Sequence, residues 1–206
     1  MLVLDSHCDT PSQIMRLRNL CVDNPYAHID FPKLRKGGVD ASFFALYTSG
    51  AMAPDAATRY ALEMLAGVND AVEAASGTAA LALSPEDIFR NKAAGKTSVL
   101  IGMENGLPIQ SSLALLRQFF RMGVRYMTLT HNTDNQICDS AAEGRRWGGL
   151  SPFGRQVVAE MNRIGMVIDL AHASDDTFYD CIRCSKAPVV STHSCCRALA
   201  HHRRNM

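Results

Sequence analysis

The first nine residues, Met1-Leu-Val-Leu-Asp-Ser-His-Cys-Asp9, decide how the rest of the chain is interpreted. The apolar residues 2–4 predict a short buried strand, and His7 and Asp9 follow it two positions apart. Because alternate residues of an extended strand share a face, their side chains are expected to point the same way. An imidazole and a carboxylate so placed can bind one divalent metal ion, although a polar strand end with an ordinary histidine would explain the same residues.

The composition is typical of a globular protein. The chain has 206 residues, of which 47% are hydrophobic and 20% are charged, and its formal net charge is +1. This balance predicts a single domain over residues 1–206 and gives no argument for binding nucleic acid or a membrane surface. No apolar run is long enough to span a bilayer, and no signal-peptide pattern precedes the first strand. The seven cysteines are therefore expected to be mostly reduced thiols of a cytoplasmic protein.

Strands and helices alternate along the rest of the chain. Serine caps, first-turn prolines and one-sided apolar spacing predict helices over 54–76, 85–94, 113–122 and 152–164, and from residue 175 onward. Apolar runs predict six strands: the opening stretch, 39–47, 98–104, 124–131, 166–172 and 188–193. Such alternation indicates a parallel sheet with helical crossovers, either an open doubly wound sheet or a (β/α)-barrel.

The ends of the strands favour the barrel. Five of the six predicted strands end in residues that commonly bind metals, and these residues are His7 with Asp9, Glu104, His131, His172 and His193. In a barrel all strand ends lie on one rim, where barrel active sites are built, whereas an open sheet would spread them along a line. We therefore predict an α/β fold of the (β/α)8 TIM-barrel type, of which this chain supplies about the first six strands.

The candidate ligands are too numerous for one zinc ion that keeps an open coordination position. They suit two metal ions that share a bridging carboxylate, and Glu104 is the candidate bridge because its two oxygens can each hold one ion. Two such ions about 3.5–4 Å apart lower the pKa of a bridging water and polarise a carbonyl together. The residues thus predict hydrolysis of an amide or an ester.

These residues resemble the renal (membrane) dipeptidases and their bacterial relatives. The resemblance runs from end to end and rests on the stretches Asp5-Ser-His-Cys-Asp-Thr-Pro11, Gly102-Met-Glu-Asn-Gly106, Leu129-Thr-His-Asn132, Gly149-Leu-Ser-Pro-Phe-Gly154, Glu160-Met-Asn-Arg-Ile-Gly-Met-Val-Ile-Asp-Leu-Ala-His172, Ser191-Thr-His-Ser194 and Arg203-Arg-Asn205. It implies a (β/α)-barrel with two Zn²⁺ ions per active site and a bridging water or hydroxide that cleaves the peptide bond of dipeptides.

The resemblance also implies the metal ligands. His7 and Asp9 match the ligands of one zinc ion, and His172 and His193 match those of the other. Glu104 matches the bridge, in agreement with the assignment made from the residues alone.

Three further residues match family positions outside the ligand set. His131 matches a catalytic histidine that contacts the substrate near the scissile carbonyl, so the resemblance moves it from the metal candidates to the substrate. Arg204 matches an arginine that binds the terminal carboxylate of the dipeptide, although the run His201-His-Arg-Arg204 by itself would suggest a solvated surface arginine. Asp169 is interpreted as a structural hydrogen-bonding partner.

The chain departs from the family toward its C-terminus. The family has an aspartate after a later strand that is thought to handle protons, and no residue of this chain matches it. A full barrel has eight strands and typically about 250 residues, whereas this chain has six predicted strands in 206 residues. We therefore expect the N-terminal part of a larger catalytic barrel, which is completed by another segment or chain, continues beyond Met206, or pairs with a copy of itself. A homodimer is the default expectation, because dimers are the commonest assembly.

Two other functions remain open at this level. One is an amidohydrolase-type barrel that acts on lactones or cyclic amides, although many of those enzymes bridge their metals with a modified lysine where this chain has Glu104. The other is a truncated, non-catalytic fragment that binds metal. Zinc is the expected metal, but manganese or cobalt would also suit mixed nitrogen and oxygen ligands.

Overall fold

The computed structural model describes residues 1–143 and 145–206. Its helices are α1 (Pro11–Ile14), α2 (Phe31–Lys36), α3 (Pro54–Ala74), α4 (Pro85–Ala93), α5 (Leu113–Arg121), α6 (Pro152–Ile164) and α7 (Asp175–Cys184). Its strands are β1 (Leu4–Cys8), β2 (Ala41–Tyr47), β3 (Ala79–Leu81), β4 (Thr97–Glu104), β5 (Val124–Thr128) and β6 (Val167–Asp169). A short 3-10 turn, Leu107–Ile109, follows β4.

The five predicted helices are confirmed, and the starts of α4, α6 and α7 follow from their capping residues. Ser84 forms a capping box with Asp87 at the start of α4, and Ser151 and Ser174 accept backbone N–H groups at the starts of α6 and α7. Gly165 ends α6 in the left-handed conformation, which glycine adopts without steric cost. Within the described ranges, no helix is both long and apolar enough to cross a membrane.

The chain forms two compact units, which are described separately. Unit 1 comprises Met1–Tyr47 and Leu62–Gly102, and unit 2 comprises Thr48–Ala61 and Met103–Met206. The single catalytic domain predicted over residues 1–206 stays a prediction.

Unit 1 is built on parallel strands. β1 pairs with β2 in the register Leu4↔Ala41, and β3 pairs with β4 in the register Ala79↔Thr97. β2 lies beside β4, so the strand order in this unit is β1-β2-β4-β3. The interior is dense around β2, whose Phe44 is completely buried and stacks on Phe31 of α2.

Unit 2 contains the last two residues of β4 together with β5 and β6. β5 and β6 are parallel, with Thr128 opposite Asp169 at their ends. The segment after β4 is tied to the segment after β5, since Gly106 N–H donates to the Leu129 carbonyl over 3.2 Å. The helices α5 and α6 pack together and are joined by Arg117, whose Nη1 lies 3.0 Å from Glu160 Oε1.

Two of the strand predictions need correction. The structure has a short strand, β3, that the sequence did not indicate, because Ala79-Ala80-Leu81 lacks the β-branched and aromatic residues that strands favour. The predicted sixth strand, 188–193, is reduced to a single parallel bridge between Val190 and Asp169. Its first residue is Pro188, which has no N–H to donate to a sheet, and none of the six residues is fully buried.

The opening stretch also differs from its prediction. Leu2, Val3 and Leu4 were expected to be buried, but their exposed fractions are 36%, 39% and 47%. The strand itself begins only at Leu4 and runs to Cys8, which is buried. The parallel α/β alternation is nevertheless as predicted, and it puts the candidate ligands at or just beyond the carboxyl ends of strands.

Candidate metal centre

In unit 1, the end of β1 carries His7 and Asp9. His7 Nε2 lies 3.5 Å from Asp9 Oδ1, as expected from the alternation of side chains along a strand. Asp5 has a different role, because its carboxylate accepts a hydrogen bond from Ser42 Oγ at 2.8 Å and so supports the pairing of β1 with β2. The His7–Asp9 pair therefore offers one nitrogen and one oxygen ligand side by side.

In unit 2, Glu104 ends β4 with a buried carboxylate that faces histidines. Its Oε1 lies 3.0 Å from His172 Nε2 and 3.4 Å from His193 Nε2. The two imidazole nitrogens lie 2.9 Å from one another. His131 is slightly farther away, with its Nε2 3.9 Å from the same Glu104 oxygen. The structure thus brings Glu104 and three histidines of unit 2 together.

The spacing of these atoms fits a metal ion. Ligand atoms that surround a tetrahedral zinc ion at 2.0–2.1 Å lie about 3.3 Å from one another. The distances among Glu104 Oε1, His172 Nε2 and His193 Nε2 are 3.0, 3.4 and 2.9 Å, close to that value. The ligand atoms of Glu104, His131 and His172 also lie within 4.8 Å of one another. The donor set of this unit can therefore hold a divalent cation.

The backbone at His172 helps to aim its ring. His172 has φ of 71°, in the left-handed region that non-glycine residues seldom adopt and that is found preferentially at functional sites. Its Nδ1 lies 2.9 Å from Asn132 Oδ1, so the ring is held from the side opposite Glu104. Burial lowers the pKa of His172, against the opposing effect of the Glu104 carboxylate, and the neutral imidazole is the form that binds metal.

His131 stands at the margin of the cluster. Its ring centroid lies 4.2 Å from that of His172, with the two rings tilted by 41°. Its Nε2 lies farther from Glu104 Oε1 than the nitrogens of His172 and His193 do, at 3.9 Å compared with 3.0 and 3.4 Å.

Arg204 is half-buried near the acidic groups of unit 2. Burial lowers the pKa of Arg204, while attraction to the carboxylates of Glu104 and Asp169 opposes that shift. Its Nη1 lies 3.4 Å from Ser194 Oγ, and its side chain makes no ion pair within the described parts of the chain. A partly desolvated guanidinium in this state is suited to bind a carboxylate.

Sequence reasoning missed the residues that support the ligands. Asn105 follows Glu104 with φ of 79° and donates from Nδ2 to the Thr48 carbonyl over 3.0 Å. Asn135 in turn donates to Asn105 Oδ1 over 3.0 Å. Asn105 and Asn132 stood directly beside Glu104 and His131 in the stretches that carry the resemblance, but one sequence offered no way to tell which polar neighbour would point at a ligand.

Comparisons with known proteins found similarity to dipeptidases. A family model described as membrane dipeptidase (Peptidase family M19) matches residues 1–206. Dipeptidase aclJ from Aspergillus oryzae is 36% identical over 193 residues, which are 89% of this chain and 46% of that protein.

Two solved structures are similar over all of this chain. The probable dipeptidase PvdM from Pseudomonas aeruginosa has a TM-score of 0.93 at 26% identity, and the match covers 55% of its chain. A metallo peptidase from Rhodobacter sphaeroides, liganded with a phosphinate mimic of the dipeptide L-Ala-D-Ala, has a TM-score of 0.92 at 25% identity, with 68% of its chain covered. The predicted (β/α)8-barrel type is thereby confirmed, and the chain spans about half the length of aclJ and PvdM.

Proposed function

Because the chain belongs to the membrane dipeptidase family (Peptidase family M19), we propose that the protein is a metal-dependent dipeptidase, which hydrolyses the peptide bond of dipeptides. The observation that carries this proposal is the convergence of His172 Nε2 and His193 Nε2 on one carboxylate oxygen of Glu104. A buried carboxylate faced by two imidazoles is the arrangement expected of a metal-ligand set and has no evident role in packing.

The proposed metal content is two zinc ions. His7 and Asp9 would hold one ion, His172 and His193 the other, and Glu104 would bridge them, as the resemblance to the family implies. The 3.5 Å spacing of His7 and Asp9 and the short distances around Glu104 support this assignment within each unit. When bound, such a pair supplies an activated bridging water and polarises the substrate carbonyl.

His131 is the proposed catalytic group of the protein chain itself. From its position 3.9 Å from Glu104 Oε1, its Nε2–H would donate a hydrogen bond to the carbonyl oxygen as negative charge develops there. Such a donor stabilises the transition state more than the substrate, which is the requirement for catalysis.

Arg204 is the proposed binding group for the terminal carboxylate of the dipeptide. Its guanidinium can form two parallel hydrogen bonds with a carboxylate, which fixes both the position and the orientation of the substrate. Because this contact places a free carboxylate next to the reacting bond, it would favour dipeptides over longer peptides.

The test is an assay of the metal-loaded protein with L-Ala-L-Ala as the first probe. We expect hydrolysis that a chelator removes and that added zinc restores, and we expect elemental analysis to find two zinc ions per chain. Turnover of lactones or cyclic amides without turnover of dipeptides would instead support the amidohydrolase-type alternative. Metal binding without turnover of either class would support a non-catalytic fragment. The cytoplasmic location and the homodimer stay predictions.

A further inference from the structure

Asp169 ends β6 with a carboxylate that is completely buried and accepts four hydrogen bonds. Its Oδ2 accepts from Thr128 Oγ1 at 2.5 Å and from Thr192 Oγ1 at 2.8 Å. Its Oδ1 accepts from the backbone N–H of Thr192 at 2.9 Å and of Ala171 at 3.1 Å. Two of the four bonds therefore go to Thr192, the residue directly before His193.

We propose that Asp169 is a positioning residue that acts through Thr192 to fix the ring and the tautomer of His193. This inference rests on the proposed function, since His193 is a proposed metal ligand. The hydrogen bond that links Thr192 to His193 joins Thr192 Oγ1 and His193 Nδ1, which lie 2.8 Å apart.

The tautomer follows from counting protons. A carboxylate only accepts hydrogen bonds, and a threonine hydroxyl has a single proton to donate. Thr192 Oγ1 donates that proton to Asp169, so it can only accept from His193. Nδ1 of His193 must therefore carry a hydrogen, and in the neutral ring the lone pair is left on Nε2. This nitrogen is the one that faces Glu104 Oε1 at 3.4 Å.

His172 is also expected to carry its hydrogen on Nδ1, but the acceptor of that hydrogen bond is a different kind of group. Its Nδ1 lies 2.9 Å from the amide oxygen of Asn132. Among the hydrogen bonds described for unit 2, that amide donates none to a carboxylate. The hydroxyl of Thr192 is polarised by the Asp169 carboxylate to which it donates, which makes it a better acceptor. An acceptor of this kind raises the basicity of a metal-binding histidine.

A purely structural role of Asp169 must be separated from this positioning role. The segment that carries His193 is joined to β6 by one bridge at Val190, so the bond from the Thr192 N–H to Asp169 also holds the backbone in place. The side-chain hydroxyls of Thr128 and Thr192 allow the separation, because both donate to Asp169 Oδ2 and the hydrogen bond to His193 Nδ1 is made by Thr192.

The experiment compares Thr192→Val, Thr192→Ser and Thr128→Val in the whole protein. We expect Thr192→Val to weaken zinc binding about 10- to 100-fold, the usual cost of losing an outer-shell partner of a ligand. Thr192→Ser keeps the hydroxyl and should bind zinc as the wild type does. Thr128→Val removes a bond to the same carboxylate and should also leave zinc affinity unchanged.

The second measurement is independent of activity and of metal. ¹⁵N NMR of the histidine side chains in the metal-free protein should show His193 with hydrogen on Nδ1 in the wild type and in Thr192→Ser, and a mixture of tautomers in Thr192→Val. A wild-type His193 with hydrogen on Nε2 would overturn the inference even if no variant folded. Equal losses of zinc affinity in Thr128→Val and Thr192→Val would show that Asp169 acts on the structure alone.

The two proposals fail in different ways. If the wild type binds zinc and shows the expected tautomer but hydrolyses no dipeptide, the proposed function is wrong and the positioning role of Asp169 stands. If dipeptides are hydrolysed and Thr192→Val changes neither the tautomer nor the zinc affinity, the positioning role is wrong and the proposed function stands.

Discussion

Glu104 Oε1 lies 3.0 Å from His172 Nε2, although the two residues belong to different strand ends and are far apart in the sequence. Contact between a buried carboxylate and an imidazole is often an isolated hydrogen bond. Here His193 approaches the same oxygen to 3.4 Å, so the carboxylate has more than one partner of the same kind. The four predictions that follow test this centre and the frame that holds it.

Replacement of Glu104 by glutamine should remove metal and activity while the fold persists. The amide keeps the size of the side chain but loses the negative charge that two imidazoles and a cation require. We expect less than the wild-type zinc content and a loss of dipeptide turnover greater than about 100-fold, beyond the range for an outer-shell partner. The control is Glu73→Gln, an exposed change on α3. Wild-type turnover in Glu104→Gln would contradict the assignment of Glu104 as the bridging ligand.

Replacement of Arg204 by alanine should affect only substrates with a free terminal carboxylate. A hydrogen bond to a charged group contributes about 1.5–3 kcal/mol, so kcat/KM for dipeptides should fall about 10- to 100-fold. The C-terminal amides of the same dipeptides should react equally with both proteins. Arg203→Ala is the matched control, because Arg203 is the exposed neighbour that donates to the Ala142 carbonyl. Equal losses for acids and amides would contradict the assignment.

The ion pair between Arg117 of α5 and Glu160 of α6 should make the stability of the fold depend on pH in the acidic range. Hydrogen bonds from Arg163 and Arg117 lower the pKa of Glu160 from its ordinary value of 4.5 to about 2. Because the pKa is lower in the folded state, the stabilisation is fully present above about pH 4.5 and is lost as pH falls toward 2.

Urea unfolding of wild type and Glu160→Gln should therefore differ most near neutral pH. The difference in the free energy of unfolding should shrink between pH 4.5 and pH 2, the interval set by the two pKa values. Glu73→Gln again serves as a control and should show no such convergence. A difference that is independent of pH would mean that the ion pairs of Glu160 do not contribute.

Two adjacent glycines in the loop before α6 should respond differently to alanine. Gly149 has φ of +126°, and a Cβ there would lie 2.7 Å from Asp180 Oδ2 and 3.1 Å from the Asp176 carbonyl oxygen. Gly148 has φ of +67°, and a Cβ there would have no atom within 4 Å. Gly148→Ala should cost about 1–2 kcal/mol, the cost of the left-handed conformation. Gly149→Ala should cost distinctly more by urea unfolding, and equal costs would contradict the packing seen at Gly149.

The sequence predicted the parts of this molecule that rest on local chemistry. Serine caps and first-turn prolines located α4, α6 and α7 because capping satisfies backbone groups within one turn. The metal-ligand candidates could be identified because residue types and predicted strand ends can be read from the sequence alone. The grouping of Glu104 with His172 and His193 in unit 2 was expected from the barrel, and the structure brings these three together.

Other features could not be predicted because they depend on partners distant in the sequence. The pairing of the alanine-rich β3 with β4 depends on tertiary contact, and β propensity gives no sign of it. The left-handed conformation of His172 and the acceptors Asn132 and Thr192 depend on which groups meet after folding. The same holds for 188–193, whose apolar residues predicted a strand although none of them is fully buried.

The single bridge at Val190 has a kinetic consequence for a metal held by His193. Sheet segments with few hydrogen bonds open more often than the rest of a fold, at a free-energy cost well below that of global unfolding. His193 lies three residues beyond the one bridge that its segment makes. Release of an ion should then proceed through local fraying of residues 190–193, and bound metal should slow amide hydrogen exchange there more than in β5. A bound ion would thus hold in place a segment that pairs with β6 through a single bridge.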